Sequence, residues 1–155
     1  MKNKFIISSL FVYCLILVLS CKKDDPVYPD APKRVYTVGK VPDGTVTFTN
    51  SATGKKNTTG VARVYVNQLY TSDVTVSFAL TGTATAGVDY TPPAGLSVTI
   101  PAGSWYADIN IVGLNSPLLT VKKTVIITLN AATQGFEIGL GYANAYGVFT
   151  YTITP

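Results

Sequence analysis

One carboxylate in this chain stands in an unusual setting, the stretch TGTATAGVDYT at residues 81–91. The stretch is small and turn-prone, and it ends in Asp89 beside the large aromatic ring of Tyr90. A carboxylate in such a position has two common roles. It can be one ligand of a calcium ion, which takes about six to eight oxygens from neighbouring loops. It can also close the turn by accepting hydrogen bonds from backbone amides.

Catalytic chemistry has few residues to use. The 155-residue chain contains no histidine and two cysteines, Cys14 and Cys21, which excludes histidine-based triads, histidine-bearing zinc sites and CxxC redox pairs. Asp108 and Glu137 could act as an acid pair on a glycoside only if they converged in a cleft. Asp108 falls in an alternating segment and Glu137 in the loop TQGFEIG, so we expect solvated positions for both. No GxSxG elbow is present, and the protein is predicted not to be an enzyme.

Aromatic residues near predicted turns are the better candidates for binding. Trp105 and Tyr106 follow the turn PAGS, while Tyr142 and Tyr146 lie in or beside the glycine-rich segment GLGYANAYG. Planar rings at such positions can stack on sugars or fill a protein hot spot, and they can equally pack against the ends of the domain. If Trp105 and Tyr106 are both in a strand, one should be buried and the other exposed.

Short segments of β type must position these residues. Seven segments have alternating or continuous apolar patterns: 45–49, 61–66, 74–80, 96–100, 107–112, 124–129 and 146–153. Turn clusters such as NSATGKKNTTG and TPPAG separate them, and no segment has helical periodicity. The pattern predicts an all-β fold, an immunoglobulin-like antiparallel sandwich of about seven strands. Its predicted core is Val64, Val66, Val76, Phe78, Ile109, Ile111, Ile127, Leu129, Phe149 and Tyr151.

The N-terminal region has the pattern of an export signal. Lys2 and Lys4 precede the apolar run FIISSLFVYCLILVL, and the following VLSC resembles the lipobox of bacterial lipoproteins. Residues 1–20 are therefore predicted to be a cleaved signal peptide. Cys21 is the predicted lipidation site, through which the protein would contact the membrane.

A predicted tether covers residues 21–44 and precedes a domain at 45–155. Its prolines, at positions 26, 29 and 32, favour an extended polyproline conformation. Lys23, Asp24 and Asp25 resemble the export signal of surface lipoproteins of Bacteroidetes-type bacteria, or they form a solvated spacer. The expected location is the cell envelope, anchored to the outer membrane. Without the predicted signal peptide, which contains Lys2 and Lys4, the net charge falls from +4 to +2, which is too small and too scattered to indicate nucleic-acid binding.

The domain is similar to a Calx-beta domain over roughly residues 45–153. The resemblance rests on a strand, a Gly-Thr-Ala turn at 82–84, the Gly-x-Asp-Tyr motif at 87–90, and Pro101 with Gly103, in family order. It implies an immunoglobulin-like sandwich and a module for calcium binding, adhesion or regulation. It also implies calcium ligands at an early Glu, at the Asp of Gly-x-Asp-Tyr and at acidic residues after the fifth strand.

Of these implied ligands the chain keeps only Asp89. Lys55 and Lys56 stand near the expected Glu, and GLNSPLLTVKK at 113–123 has no carboxylate. We therefore expect no cofactor and a turn-closing role for Asp89, with Tyr90 packed under the sheet edge. The predicted function is a lipid-anchored structural or adhesive module with a degenerate calcium site and a protein partner at its loops. The alternative is a glycan-binding lipoprotein of a nutrient-capture system.

Overall fold

The computed structural model describes residues 31–40 and 46–155, with side chains in the second range from residue 48 onward. Pro32–Pro155 forms one compact unit. The predicted signal peptide at 1–20, the lipidation site Cys21 and the predicted export signal at 23–25 lie outside the described residues. No described helix has the length and apolar character needed to cross a membrane.

The described part of the chain folds into two β-sheets. Its strands are β1 (Arg34–Lys40), β2 (Val46–Thr47), β3 (Ser51–Lys55), β4 (Thr59–Val66), β5 (Val74–Gly82), β6 (Tyr90–Thr91), β7 (Ser97–Ile100), β8 (Tyr106–Gly113), β9 (Lys123–Ala132), β10 (Glu137–Ile138) and β11 (Val148–Thr154). Sheet A has the order β10-β1-β4-β8-β6, with β2 also paired to β1, and sheet B has the order β3-β11-β9-β5-β7. The fold is an immunoglobulin-like β-sandwich, as predicted.

Most strand pairs are antiparallel, but two pairs at the sheet edges are parallel. β10 runs parallel to β1, and β3 runs parallel to β11. In each parallel pair the two strands are far apart along the chain, with several other strands between them, so the chain has room to return in the same direction. The predicted sandwich is therefore correct in class, and its antiparallel character holds for the central strands.

The core lies between the two sheets and consists of alternate residues from each strand. All ten predicted core residues are buried, none more than 4% exposed. Their burial confirms the register of the alternating segments, because a slip of one residue would turn the apolar residues of a strand towards solvent. Burying each of these large apolar side chains contributes about 1.5 to 3 kcal/mol.

Four strands lie where no strand was predicted, namely β1, β3 and the two-residue strands β6 and β10. β1 falls within 21–44, the range assigned to the tether, so the sheet begins before the predicted domain start at residue 45. The proline spacing indicated an extended chain, but the segment RVYTVGK alternates, and its residues 35–40 pair with β4. β3 falls within the predicted turn cluster at 50–60, because an edge strand with both faces partly exposed keeps a polar sequence. The predicted strand at 45–49 is reduced to β2.

Tyr151 fills the space between β11 and the facing sheet. Its ring is 2% exposed and lies against Gly60 of β4, and its hydroxyl lies beside Gly54 of β3. A Cβ atom at either glycine would overlap the tyrosine side chain. Thr58 Oγ1 lies 3.3 Å from Tyr151 Oη, so the phenol also has a polar partner. The two glycines therefore provide the room that a large aromatic residue needs at this point.

Candidate functional site

Asp89 closes the turn that follows β5. Its side chain is completely buried, and its Oδ2 accepts a hydrogen bond of 2.7 Å from the Thr85 N–H. Its own N–H donates to the Thr85 carbonyl at 2.8 Å. Gly87 has a φ of 77°, in the left-handed region that favours glycine, which lets the chain reverse here. Tyr90 is 5% exposed and packs into the core next to this turn.

Lys123 is the second member of this site and was not identified from the sequence. It is the first residue of β9, and its Nζ donates to Asp89 Oδ1 at 2.9 Å and to Oδ2 at 2.8 Å. The Lys123 side chain is 23% exposed, so the ion pair is buried at the carboxylate and partly solvated at the ammonium. Lys123 and Asp89 are separated by 34 positions, and only the sheet topology brings them together.

The charge state of Asp89 follows from this pairing. Burial by itself raises the pKa of the Asp89 carboxyl, because a charge is disfavoured away from water. The Lys123 ammonium and the Thr85 N–H act in the opposite direction and outweigh it, so the pKa lies below its ordinary value. Asp89 is therefore a carboxylate at neutral pH.

The segments that the resemblance assigns to calcium ligands do meet at this end of the sandwich. The Leu114 N–H donates to the Asp89 carbonyl at 2.9 Å, and the Gly113 N–H donates to the Thr58 carbonyl at 2.8 Å. The loop after β8 and the turn after β3 therefore adjoin the Asp89 turn. In residues 31–40 and 46–155, however, no group of three or more His, Cys, Asp or Glu side chains is placed to hold a metal ion.

The donor set does not fit calcium. A calcium ion needs several oxygen ligands, some of them anionic. The one carboxylate at this site has both oxygens in contact with an ammonium group. A metal ion bound to Asp89 would have to displace Lys123 and would find no second acid in the adjoining segments.

The candidate aromatic residues do not form one cluster. Trp105 and Tyr106 are 49% and 43% exposed, and the expected burial of one of them depended on both lying in a strand. Trp105 precedes β8, and the alternation of a strand does not apply to it. Tyr142 is 96% exposed in the 3-10 helix Tyr142–Gly147. Tyr146, in the same helix, is half-buried, and its hydroxyl donates to the Phe48 carbonyl at 3.1 Å.

Tyr106 belongs instead to a row of three tyrosines on the outer face of sheet A. Tyr36, Tyr65 and Tyr106 are direct cross-strand neighbours on β1, β4 and β8. The ring centroids of Tyr36 and Tyr65 are 5.9 Å apart with an interplanar angle of 17°, and those of Tyr65 and Tyr106 are 5.4 Å apart at 53°. We call these three residues the tyrosine row. The repeated tripeptide Arg-Val-Tyr at 34–36 and 63–65 is the sequence signal that could have identified it.

Arg63 ties the tyrosine row to Asp108, one of the two acids considered for catalysis. Its guanidinium lies 3.7 Å from the centre of the Tyr106 ring and donates to both oxygens of Asp108, at 2.7 and 2.9 Å. Glu137 is bound separately by Arg34 at 2.9 Å. Asp108 is therefore partly buried in an ion pair rather than solvated as expected, and each acid is bound by an arginine of its own.

Comparisons with known proteins identify the fold. No family model matches the chain, and no curated protein matches it. Among solved structures, the chain is similar to the apo form of the Calx CBD1 domain, with a TM-score of 0.58 and 18% identity over 80% of this chain and 97% of that one. It is similar to the calcium-binding domain CBD12 of CALX1.1, with a TM-score of 0.54 and 20% identity over 67% of this chain. For CBD12 from CALX1.2 the TM-score is 0.58, with 19% identity over 78%.

These similarities establish a Calx-beta-like fold for this chain. The chain covers 41% and 43% of the two CBD12 structures, so it spans less than half the length of each. CBD12 of CALX1.1 is a calcium-binding domain.

Proposed function

We propose that this protein is a lipid-anchored lipoprotein of the cell envelope whose sandwich is a binding module that operates without calcium. The anchor is Cys21, and the expected location is the outer membrane. The calcium-binding domains among the similar structures make calcium the first ligand to consider. The pairing of Asp89 with Lys123 argues against it, because the only carboxylate at the site already has a cation.

The tyrosine row carries the proposal of a binding function. Tyrosine rings supply large contact area with little loss of side-chain entropy, and together with Arg they are enriched in protein hot spots. Here the tyrosine row is joined to Arg63, and Tyr106 at its end is 43% exposed beside the exposed Trp105. The Tyr36 and Tyr65 rings stack on each other, and Arg63 covers one face of Tyr106. This arrangement leaves ring edges and hydroxyls for contact, which suits a protein partner.

A glycan is the second candidate ligand, and Trp105 is the observation that favours it. Its indole is 49% exposed, and no ring contact within the described residues occupies it. A free indole face can stack on a sugar ring, which a stacked tyrosine cannot do as well.

Two assays on the mature domain separate the protein and glycan candidates. We expect crosslinking and pull-down from intact cells to recover a protein partner with the wild type and much less of it with Tyr106→Ser. Selective binding on a glycan array that Trp105→Ala abolishes would favour the glycan instead. Tyr142→Ala is the matched control, because Tyr142 is 96% exposed but lies outside the tyrosine row. If Tyr142→Ala lowers partner recovery as strongly as Tyr106→Ser, the binding surface is elsewhere.

A further inference from the structure

We infer that the Lys123 ammonium occupies the position of a bound cation at Asp89, so that this end of the domain is a cation site filled by the chain itself. The inference and the proposed function share one claim, that no calcium ion binds at Asp89. The anchor and the binding partner can each be disproved without affecting it.

The first argument is that Asp89 needs a cation. A carboxylate that is completely removed from water is costly unless a positive charge and hydrogen bonds compensate for it. Among residues 31–40 and 46–155, Lys123 is the charged side chain within ion-pair distance of Asp89. The carboxylate could not remain ionised in this place without Lys123 or a cation that replaced it.

The second argument is the number of contacts that Lys123 makes. One ammonium group donates to both carboxylate oxygens, and the Thr85 N–H donates to Oδ2 as well. In the described residues no buried side-chain nitrogen or oxygen lacks a hydrogen-bond partner. The charge and the hydrogen-bonding atoms of Asp89 are therefore satisfied without a further ion. This is expected of a site that Lys123 fills and not of a site that has only lost its ligands.

The third argument is what the pair holds together. Lys123 is the first residue of β9, and next to it the Thr124 carbonyl accepts from the N–H groups of Thr83 and Ala84, both at 2.9 Å. The Thr124 N–H donates in return to Thr83 Oγ1 at 3.0 Å. The loop that ends in Asp89 is thus fixed to β9 at both of its ends. A metal ion bridging the same segments would perform the same structural task.

The consequence is a loop arrangement that does not vary with the metal content of the surroundings. A tethered ammonium competes with free ions at a high effective concentration, because it is part of the same chain. A domain that relies on a dissolved ion is ordered only when the ion is present, whereas this domain carries its cation permanently.

Thermal unfolding of the domain with substitutions at both positions tests the inference. Lys123→Met, which keeps an unbranched side chain of similar length and removes its charge, should lower Tm by on the order of 10 °C. Lys123→Arg, which keeps the charge, should lower it much less. Adding Asp89→Asn to Lys123→Met should recover a substantial part of the loss, because the buried carboxylate is then gone. Calcium chloride should leave the Tm of the wild type unchanged relative to chelator.

Chemical rescue tests the cation site directly. Lys123→Ala leaves space beside the Asp89 carboxyl group, and propylammonium chloride should raise its Tm relative to sodium chloride at the same ionic strength. The same salt should not raise the Tm of the wild type or of Lys123→Ala combined with Asp89→Asn. If Lys123→Ala does not fold, the comparison of Lys123→Met with its Asp89→Asn double variant decides the question.

Two results would overturn the inference. The first is a Lys123→Met variant whose Tm equals that of the wild type, or whose loss in Tm is not recovered by adding Asp89→Asn. Either result would mean that the charge pair has no structural importance. The second is a wild-type Tm that rises with calcium and ceases to do so in Asp89→Asn. That outcome would show that a metal ion displaces Lys123.

Discussion

Replacing Gly60 by alanine tests whether the packing of Tyr151 joins the two sheets. Gly60 lies on β4 opposite Ile111 of β8, and a methyl group at this position would overlap the buried ring of Tyr151. The ring is 2% exposed and its hydroxyl lies beside Thr58, so it has little room to move.

The expected loss follows from two opposing effects. Overpacking a tight core costs about 1 to 3 kcal/mol. Replacing glycine by alanine restricts the unfolded chain and returns about 0.4 to 1 kcal/mol. The net destabilisation should be about 1 to 2 kcal/mol, which corresponds to a Tm lower by roughly 3 to 10 °C for a domain of this size.

Urea denaturation followed by far-ultraviolet circular dichroism measures this loss. Gly95→Ala is the matched control, because no atom lies within 4 Å of an added Cβ there and its stability should not fall. The same measurement is made on Tyr151→Leu with and without Gly60→Ala. The ring that the new methyl group would overlap is absent from both proteins, so Gly60→Ala should destabilise this background less. If Gly60→Ala destabilises both backgrounds equally, or matches Gly95→Ala, the argument from the tyrosine ring is wrong.

Three further predictions concern the core, the ion pair and the anchor. Phe78→Ala should cost about 3 to 5 kcal/mol by opening a cavity in the core, whereas Thr75→Ala, on the opposite face of β5, should cost little in the same urea titration. Because the pKa of Asp89 is lowered on folding, its contribution to stability is complete above the ordinary Asp pKa of about 3.9 and is lost as the pH falls through the folded value. The free energy of unfolding of the wild type should therefore fall more steeply below about pH 4 than that of Asp89→Asn, and parallel curves would contradict the ion pair. Cys21→Ser should leave the precursor unprocessed and unlabelled by radioactive palmitate, and continued labelling would refute the predicted anchor.

The sequence predicted the interior of this fold better than its edges. Alternation identified core residues such as Val76 and Ile127, because the two faces of a central strand differ strongly in polarity. It missed β3, where both faces are partly exposed and the sequence SATGK resembles a turn. It also missed β1, because the prolines that precede it suggested an extended tether rather than a paired strand.

The candidate site was only half predictable for a similar reason. Asp89 and its turn were visible in a local motif, and the missing acids at the expected ligand positions were visible in neighbouring segments. Lys123 was not, since its partner lies 34 positions away on another strand and no local pattern joins the two. The tyrosine row likewise depends on the register between β1, β4 and β8, which alternation within one strand does not determine.

The position of β11 has a consequence for how the chain can fold as it is made. β11 (Val148–Thr154) lies between β3 and β9, so two strands that are far apart in sequence meet only through the last strand of the domain. β3 therefore cannot join sheet B until residues 148–154 have left the ribosome. Non-local pairing of this kind is slow. A nascent chain of this protein would keep β3 unpaired until β11 emerges, and a stop codon placed before Val148 would leave β3 without any neighbour in its sheet.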